Sequence, residues 1–229
     1  MVQPLTIVIP IYPGVTQLDF TGPHQFFSRV PDVRVIVASQ DARPVEADGM
    51  VFTGLADLMT ITGCDILCVP GGNGCFMAME NVAFLRRLHE LGQRARFIGS
   101  VCTGSLLLAA AGLLKGKRAA CHWAWRDLLP AFGVIADTGR VVRDGNIITG
   151  GGVTAGMDFA LAIIAEAYGQ SLAERIQLGL EYAPEPPFQA GRPETAPAPV
   201  RDAEIARLRA YRPARQAAVE AAAARLRSR

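Results

Sequence analysis

Residues Phe97 to Gly116 read FIGSVCTGSLLLAAAGLLKG. The first five form a short, largely apolar run of the kind that builds a strand covered on both faces. From Ser105 onward leucine and alanine follow one another, and the pattern predicts a helix over 105–114 that stops near Gly116. Cys102 then falls on the sharp turn between strand and helix. Ligands of open α/β sheets bind at the carboxyl ends of the strands, and a side chain on a strand-to-helix elbow is pushed out toward that crevice. The N-terminus of the following helix presents free N–H groups and a positive dipole, which favours a thiolate over a thiol. A cysteine can also be a small buried hydrophobe. The elbow selects the reactive reading for Cys102, whereas Cys121 follows Ala119-Ala120 without an elbow and reads as packing.

The same alternation recurs along the chain. Apolar runs at Leu5–Ile11, Val33–Ser39, Ile66–Val69 and Ile147–Thr149 read as further strands, with helical stretches between them. That order is the signature of an α/β fold with a mostly parallel sheet. Thr21-Gly22-Pro23 reads as the cap and first-turn proline of one helix. Asn81–Leu91, Thr154–Tyr168 and a segment from Ser171 to about Leu180, opened by the capping-box spacing Ser171-Leu172-Ala173-Glu174, read as others. Arg143-Asp144-Gly145-Asn146 reads as a hairpin turn, because Asp-Gly suits positive φ.

From Glu181 to Val200 the chain runs EYAPEPPFQAGRPETAPAPV, and six prolines in twenty residues exclude a regular helix or a central strand. Arg201–Arg229 returns to alanine and arginine with helical spacing, broken once at Pro213, giving two short helices too small to form a domain alone. The expected organisation is one α/β domain over residues 1–180, with a proline-rich arm and helical tail over 181–229 packed on it or on a partner subunit. Tyr182 and Phe188, apolar among prolines, point to a homodimer that buries them.

With 229 residues, half of them hydrophobic, and a mean hydropathy of +0.23, the chain can bury a full core. Its 23 Lys and Arg against 21 Asp and Glu leave a net charge of +2, which gives no electrostatic basis for binding nucleic acid or an anionic membrane. The start MVQPLTIVIPIYPG has neither a basic region nor a cleavage site. No apolar run reaches the roughly 18 to 20 residues that span a bilayer. A cytoplasmic protein is expected, and its odd set of five cysteines reads as reduced thiols. No second Cys/His pair answers Cys64 and Cys68, so these read as packing residues rather than as a metal site.

Three histidines are present. His89 lies in the charged 81–91 helix and reads as solvated. His24 and His122 could reach Cys102, or serve as local caps or packing groups. Asp19 follows the first strand and sits between Leu18 and Phe20. Two roles fit it: the N-cap of the next helix, or a carboxyl group beside Cys102 whose raised pKa lets it move protons near neutral pH. Pro70-Gly71-Gly72-Asn73-Gly74 leaves the third strand, where glycines either make a turn or let backbone N–H groups approach a ligand. Gly150-Gly151-Gly152 admits the same two readings. Neither a dinucleotide fingerprint nor a Walker sequence occurs.

Taken together, QLDFTGPH (Gln17–His24), VPGGNG (Val69–Gly74), SVCTGSLLLAAAGLLKGKRA (Ser100–Ala119), HWAW (His122–Trp125), RVVRDGNIITGGGVTAGMDFAL (Arg140–Leu161) and QLGLEYAPEPPF (Gln177–Phe188) resemble the ThiJ/PfpI superfamily, and within it the isocyanide hydratases. The resemblance implies a flavodoxin-like three-layer sandwich with a nucleophile elbow. It further implies that Cys102 attacks the terminal carbon of a small-molecule isocyanide and that water hydrolyses the resulting thioimidate to a formamide, with no cofactor and no metal. Asp19 would transfer protons and orient water, Thr103 would help hold the substrate or intermediate, and backbone donors would fall at Gly72. Ligand-sensing domains of AraC-type regulators share LDFTGP and CTGSLLLAAAGLL, but they carry a helix-turn-helix module afterwards where a short Ala/Arg tail follows here. Glyoxalase, deglycase or protease relatives would show a histidine at position 103 and a glutamate at position 19; this chain has Thr103 and Asp19.

Overall fold

A computed structural model describes residues 5–228; Arg229, the end of the expected tail, lies outside them. Eleven strands occur among the described residues: β1 (Thr6–Pro10), β2 (Arg34–Ser39), β3 (Val45–Ala47), β4 (Met50–Phe52), β5 (Ala56–Asp57), β6 (Ile66–Val69), β7 (Phe97–Val101), β8 (Arg118–Ala120), β9 (Ile135–Asp137), β10 (Val141–Asp144) and β11 (Ile147–Gly150). Seven of them form the central sheet in the order β10-β11-β7-β6-β1-β2-β5. All neighbours run parallel except β10 and β11, the hairpin at one edge whose tip is Gly145. Ile7 lies opposite Val35 on one side and Ile66 on the other, Leu67 opposite Ile98, and Gly99 opposite Ile148. β6 and β7 are buried along their whole length, which is why they read as apolar runs broken only by the buried Ser100.

The helices are α1 (Gln17–Phe27), α2 (Cys75–Ala78), α3 (Val82–Arg94), α4 (Gly104–Ala110), α5 (Ala155–Tyr168), α6 (Gln170–Gly179), α7 (Ala198–Arg209) and α8 (Arg212–Arg227). α1 and α5 pack together on one face of the sheet, with α6 against α5; α3 and α4 cover the other face, with α8 outside α4. The result is a three-layer sandwich. Phe27 of α1 and Phe159 of α5 are fully buried and meet edge to face at 6.4 Å. Such a pair adds about 0.5–1.5 kcal/mol beyond its area burial. Chain order reverses between β1 and β6, so the crevice at the switch point lies among the carboxyl ends of β1, β6 and β7.

Several local expectations are corrected. α1 begins at Gln17, not at Thr21-Gly22-Pro23. The free N–H of Gln17 is satisfied by Asp48 Oδ2 at 2.8 Å, Thr16 N–H donates to the Gly71 carbonyl, and Thr21 Oγ1 donates back to the Gln17 carbonyl as a helix-interior threonine does. Pro23 therefore lies inside the helix, where its ring faces Gly156 of α5. α4 ends at Ala110, because Gly112 adopts φ +80° and the Leu113 N–H reaches the Leu108 carbonyl while the Gly112 N–H reaches that of Ala109, a Schellman closure. α6 starts at Gln170 behind Gly169, so Ser171 lies within its first turn and makes no capping box.

His89 is half-buried rather than solvated and bonds the Ala111 carbonyl at 2.9 Å, tying α3 to the end of α4. Tyr182 is also covered: its ring meets Phe26 edge to face at 5.4 Å and its hydroxyl donates to Asp158 at 2.9 Å, so it anchors the arm to its own chain. Phe188 remains 77% exposed. The break between the two tail helices falls at Ala210 and Tyr211, with Pro213 in the first turn of α8. Val219, Ala222 and Ala223 of α8 are buried, so this helix docks on its own domain.

Candidate active site

The carboxyl ends of β1, β6 and β7 bring Asp19, Gly71 and Cys102 together. Cys102 leaves β7 at φ +59°, a left-handed conformation rare for a residue with a side chain, and its N–H reaches the Gly150 carbonyl at 3.2 Å. This is the expected elbow. Ser100 and Ser105, on either side of the turn, share a hydrogen bond at 2.8 Å, and Ser105 also donates to the Ala120 carbonyl, which ties the elbow to β8.

Asp19 is completely buried and does not cap α1. Its Oδ2 accepts the Gly71 N–H at 2.9 Å; Oδ1 has no hydrogen-bond partner among the described residues. Burial raises the carboxyl pKa to about 7, against the pull of the Gly71 N–H and of the neighbouring Cys102 thiol, with Asp48 pushing the same way as burial. Gly71 is obligatory here. A Cβ on it would lie 2.4 Å from the Thr103 nitrogen and 2.9 Å from Asp19 Oδ2.

Cys102 departs from the thiolate expected at a helix N-terminus. Burial first, and then the Asp19 charge, push its thiol well above the ordinary value, and the Thr103 N–H offsets only part of this. The resting pair is therefore a thiol beside a carboxyl group that changes charge near neutrality.

Thr103 Oγ1 accepts the Gly72 N–H at 2.9 Å and lies 3.2 Å from the Gly72 carbonyl, to which it can donate. Gly72 is thus not the free backbone donor that was expected: its N–H is spent on Thr103. The two residues lock the glycine-rich turn after β6 to the elbow. Of the histidines, the structure brings His122 to the wall of the Cys102 crevice, whereas His24 stays in the last turn of α1. His122 Nδ1 accepts the Ala124 N–H at 3.3 Å, which leaves the ring proton on Nε2, and burial lowers its pKa so that it is neutral at pH 7. No hydrogen bond joins it to Cys102 among the described residues.

The crevice over Cys102 measures about 350 Å³. Phe76 and Trp125 line it from the domain, and Leu208, Tyr211 and Arg215 from the tail. The tail was expected as two docked helices, but its part in the site was not: alanine and arginine at helical spacing gave no sign that α7 and α8 close over the cysteine. A second cavity of about 400 Å³ lies beyond Gly74, against Tyr12, Pro44, Met77 and Phe84. Its two hydroxyls are committed to backbone carbonyls, Tyr12 to that of Pro70 at 2.9 Å and Ser39 to that of Arg43 at 2.6 Å.

A family model described as DJ-1/PfpI family matches residues 5–166. The chain is 49% identical over 203 residues to an isonitrile hydratase of Pseudomonas putida, covering 86% of this chain and 87% of that one. The crystal structure of a ThiJ/PfpI family protein from Pseudomonas syringae superposes with a TM-score of 0.90 at 41% identity, covering 96% of this chain and 90% of the other. The HTH-type transcriptional regulator CdhR of Pseudomonas aeruginosa is 34% identical over 145 residues, which span 61% of this chain and 42% of the regulator.

Proposed function

The chain belongs to the DJ-1/PfpI family, and from that premise we propose that it is an isocyanide hydratase, a lyase that adds water to an isocyanide to give an N-substituted formamide. The observation that carries this reading is the close likeness, over nearly the whole chain, to the Pseudomonas putida enzyme. The buried Asp19 beside the Cys102 thiol supports it chemically.

The steps follow from the two groups. The isocyanide R–N≡C presents a terminal carbon that accepts a nucleophile and carries a lone pair. Cys102 Sγ bonds to that carbon as its S–H bond breaks, and the proton passes through Asp19 Oδ1 to the same carbon, leaving the thioimidate R–N=CH–S–Cys102. Asp19 near neutrality can take the proton as carboxylate and return it as acid. Water then adds to the thioimidate carbon, its proton reaching nitrogen. The C–S bond breaks, the sulfur recovers a proton from the hydroxyl, and R–NH–CHO leaves. Neither oxidant nor reductant is consumed. Thr103 and Gly72 act through position: each holds the other, and together they keep the β6 turn against the elbow.

Purified protein mixed with a simple aryl isocyanide should yield the formamide by NMR, and Cys102→Ala should yield none. The absence of formamide, or turnover that survives in Cys102→Ala, would refute the reading. We further place the protein in the cytoplasm, a reading supported by its five free thiols and compatible with the absence, among the described residues, of any helix long and apolar enough to cross a membrane. It works as a homodimer. Phe188 at 77% exposed, with Met77 at 78% and Val51 at 65%, supports that assembly, and a monomer in sedimentation at micromolar concentration would overturn it.

A further inference from the structure

Arg215 of α8 is, among the described residues, the one guanidinium held between aromatic rings inside the Cys102 crevice. Its Cζ lies 4.1 Å from the centroid of Trp125, 5.0 Å from that of Phe76 and 5.1 Å from that of Tyr211. Its only hydrogen-bond partner among the described residues is the neutral Asn73 Oδ1, at 2.8 Å from Nη2. Arg207 and Glu204 line the same crevice but pair with each other, and Arg212 pairs with Asp127. No carboxylate pairs with Arg215 among the described residues. A guanidinium has five N–H donors in a planar fork. With Cζ over three rings and only Nη2 bonded, to Asn73, the remaining N–H groups are the place for an acceptor, and the guanidinium fork is the geometry that takes a carboxylate with two parallel hydrogen bonds.

Arg215 lines the crevice from the tail, among Phe76, Trp125 and Tyr211, whereas Cys102 lies at the elbow of the domain beside Asp19. Arg215 is thus placed for a group of the substrate other than the carbon that the sulfur attacks. The ring walls of Phe76, Trp125 and Tyr211 suit a flat or apolar spacer between the two ends.

Resting on the hydratase reading, we propose that Arg215 is the specificity-determining residue of the crevice, and that the preferred substrates are isocyanides carrying a carboxylate on the group remote from the isocyano carbon. The cation stays in the crevice because ring faces partly replace its hydration, and, with the crevice's Glu204 already paired to Arg207, the substrate carboxylate supplies its counter-charge.

The test compares 4-isocyanobenzoate with its shape-matched neutral methyl analogue, 4-methylphenyl isocyanide, using the full chain. In the wild type, kcat/KM for the acid should exceed that for the neutral compound at least tenfold, and the ratio should fall as salt is raised. In Arg215→Gln the ratio should drop to about one, and Arg215→Lys should keep part of it; because each variant serves as its own control, a general loss of activity leaves the ratio readable. Binding of the unreactive product analogue 4-formamidobenzoate to Cys102→Ala, read by tryptophan fluorescence, adds a measurement independent of turnover and should weaken at least tenfold on adding Arg215→Gln. Equal wild-type rates, or a preference that survives in Arg215→Gln, would overturn the proposal and leave the hydratase reading intact. If Arg215 were only a staple for α8, Arg215→Gln would lower the Tm and leave the ratio unmoved. Arg215-dependent binding of 4-formamidobenzoate with neither isocyanide hydrated would instead sink the hydratase reading and retain the anion site.

Discussion

Replacing Asp19 by asparagine separates what the carboxyl group does for catalysis from what it costs the fold. The amide keeps an oxygen for the Gly71 N–H, now accepted at 2.9 Å, and removes the charge. Folding raises the pKa from the ordinary 3.8 to about 7, chiefly through burial. The sign follows directly. A carboxyl group bound more tightly by its proton in the folded state gives its full stability below about 4 and loses it progressively as pH rises to about 7, above which the penalty is constant. At about 1.4 kcal/mol per tenfold change in proton affinity, the gap amounts to ~4 kcal/mol of destabilisation at pH 8. Asp19→Asn should recover part of that, on the order of 2 kcal/mol after allowing for the buried amide. A chain of this size gains about 2–4 °C per kcal/mol, so its Tm at pH 8 should rise by several degrees. The advantage should shrink by roughly 2 kcal/mol between pH 8 and pH 5.5. Meanwhile kcat/KM, which in the wild type should climb as pH passes through about 7, should fall by about 10²–10⁴-fold and lose that step. Urea denaturation at the two pH values and a pH–rate profile read both effects. A variant equally destabilised at pH 5.5 and 8, or one that keeps the wild-type profile, would refute the assignment of a neutral-range proton carrier at Asp19.

Two more outcomes follow from the same geometry. Because burial and the Asp19 charge hold Cys102 as a thiol, the difference in 240 nm absorbance between wild type and Cys102→Ala should show no thiolate step between pH 5 and 9; a step below pH 8 would contradict the proton-transfer scheme. Gly71→Ala would place a methyl group 2.4 Å from the Thr103 nitrogen, so it should lower stability by about 1–3 kcal/mol and displace Asp19 from the sulfur, and a variant with wild-type stability and turnover would show that the close approach is not required.

How much of this was legible depended on how far each feature is set by its own residues. β1, β2, β6, β7 and β11 lie within one or two residues of the expected spans, because strands buried on both faces need continuous apolar runs and end at glycine, proline or polar breaks. The pairs β3–β4 and β8–β9, and the short β5, escaped because two or three residues carry no measurable periodicity. Thr21-Gly22-Pro23 imitates a helix start, and only contacts from residues far along the chain, Asp48 and Gly71, move the true start to Gln17. Phe188 looked like an apolar residue without a core, and it is; Tyr182 looked the same and is held by Phe26 of α1 and Asp158 of α5, both distant in sequence.

The placement of Cys102 and Asp19 could be read because both leave strands at the same edge, but their charge states could not. A helix N-terminus stabilises an adjacent anion by about 0.3–1 kcal/mol, and that effect falls off within the first turn. Complete burial shifts an ionisable group by as much as several pKa values, each worth about 1.4 kcal/mol. At the elbow these forces oppose each other. α4 has only seven residues, Cys102 is 5% exposed, and a carboxyl group that ionises near neutrality lies beside it. Desolvation therefore prevails, and reactivity has to arise when Asp19 takes the proton in the step that forms the carbon–sulfur bond. Burial of the two groups comes from packing across β1, β6, β7 and the docked tail, none of which the spacing of cysteine and aspartate encodes.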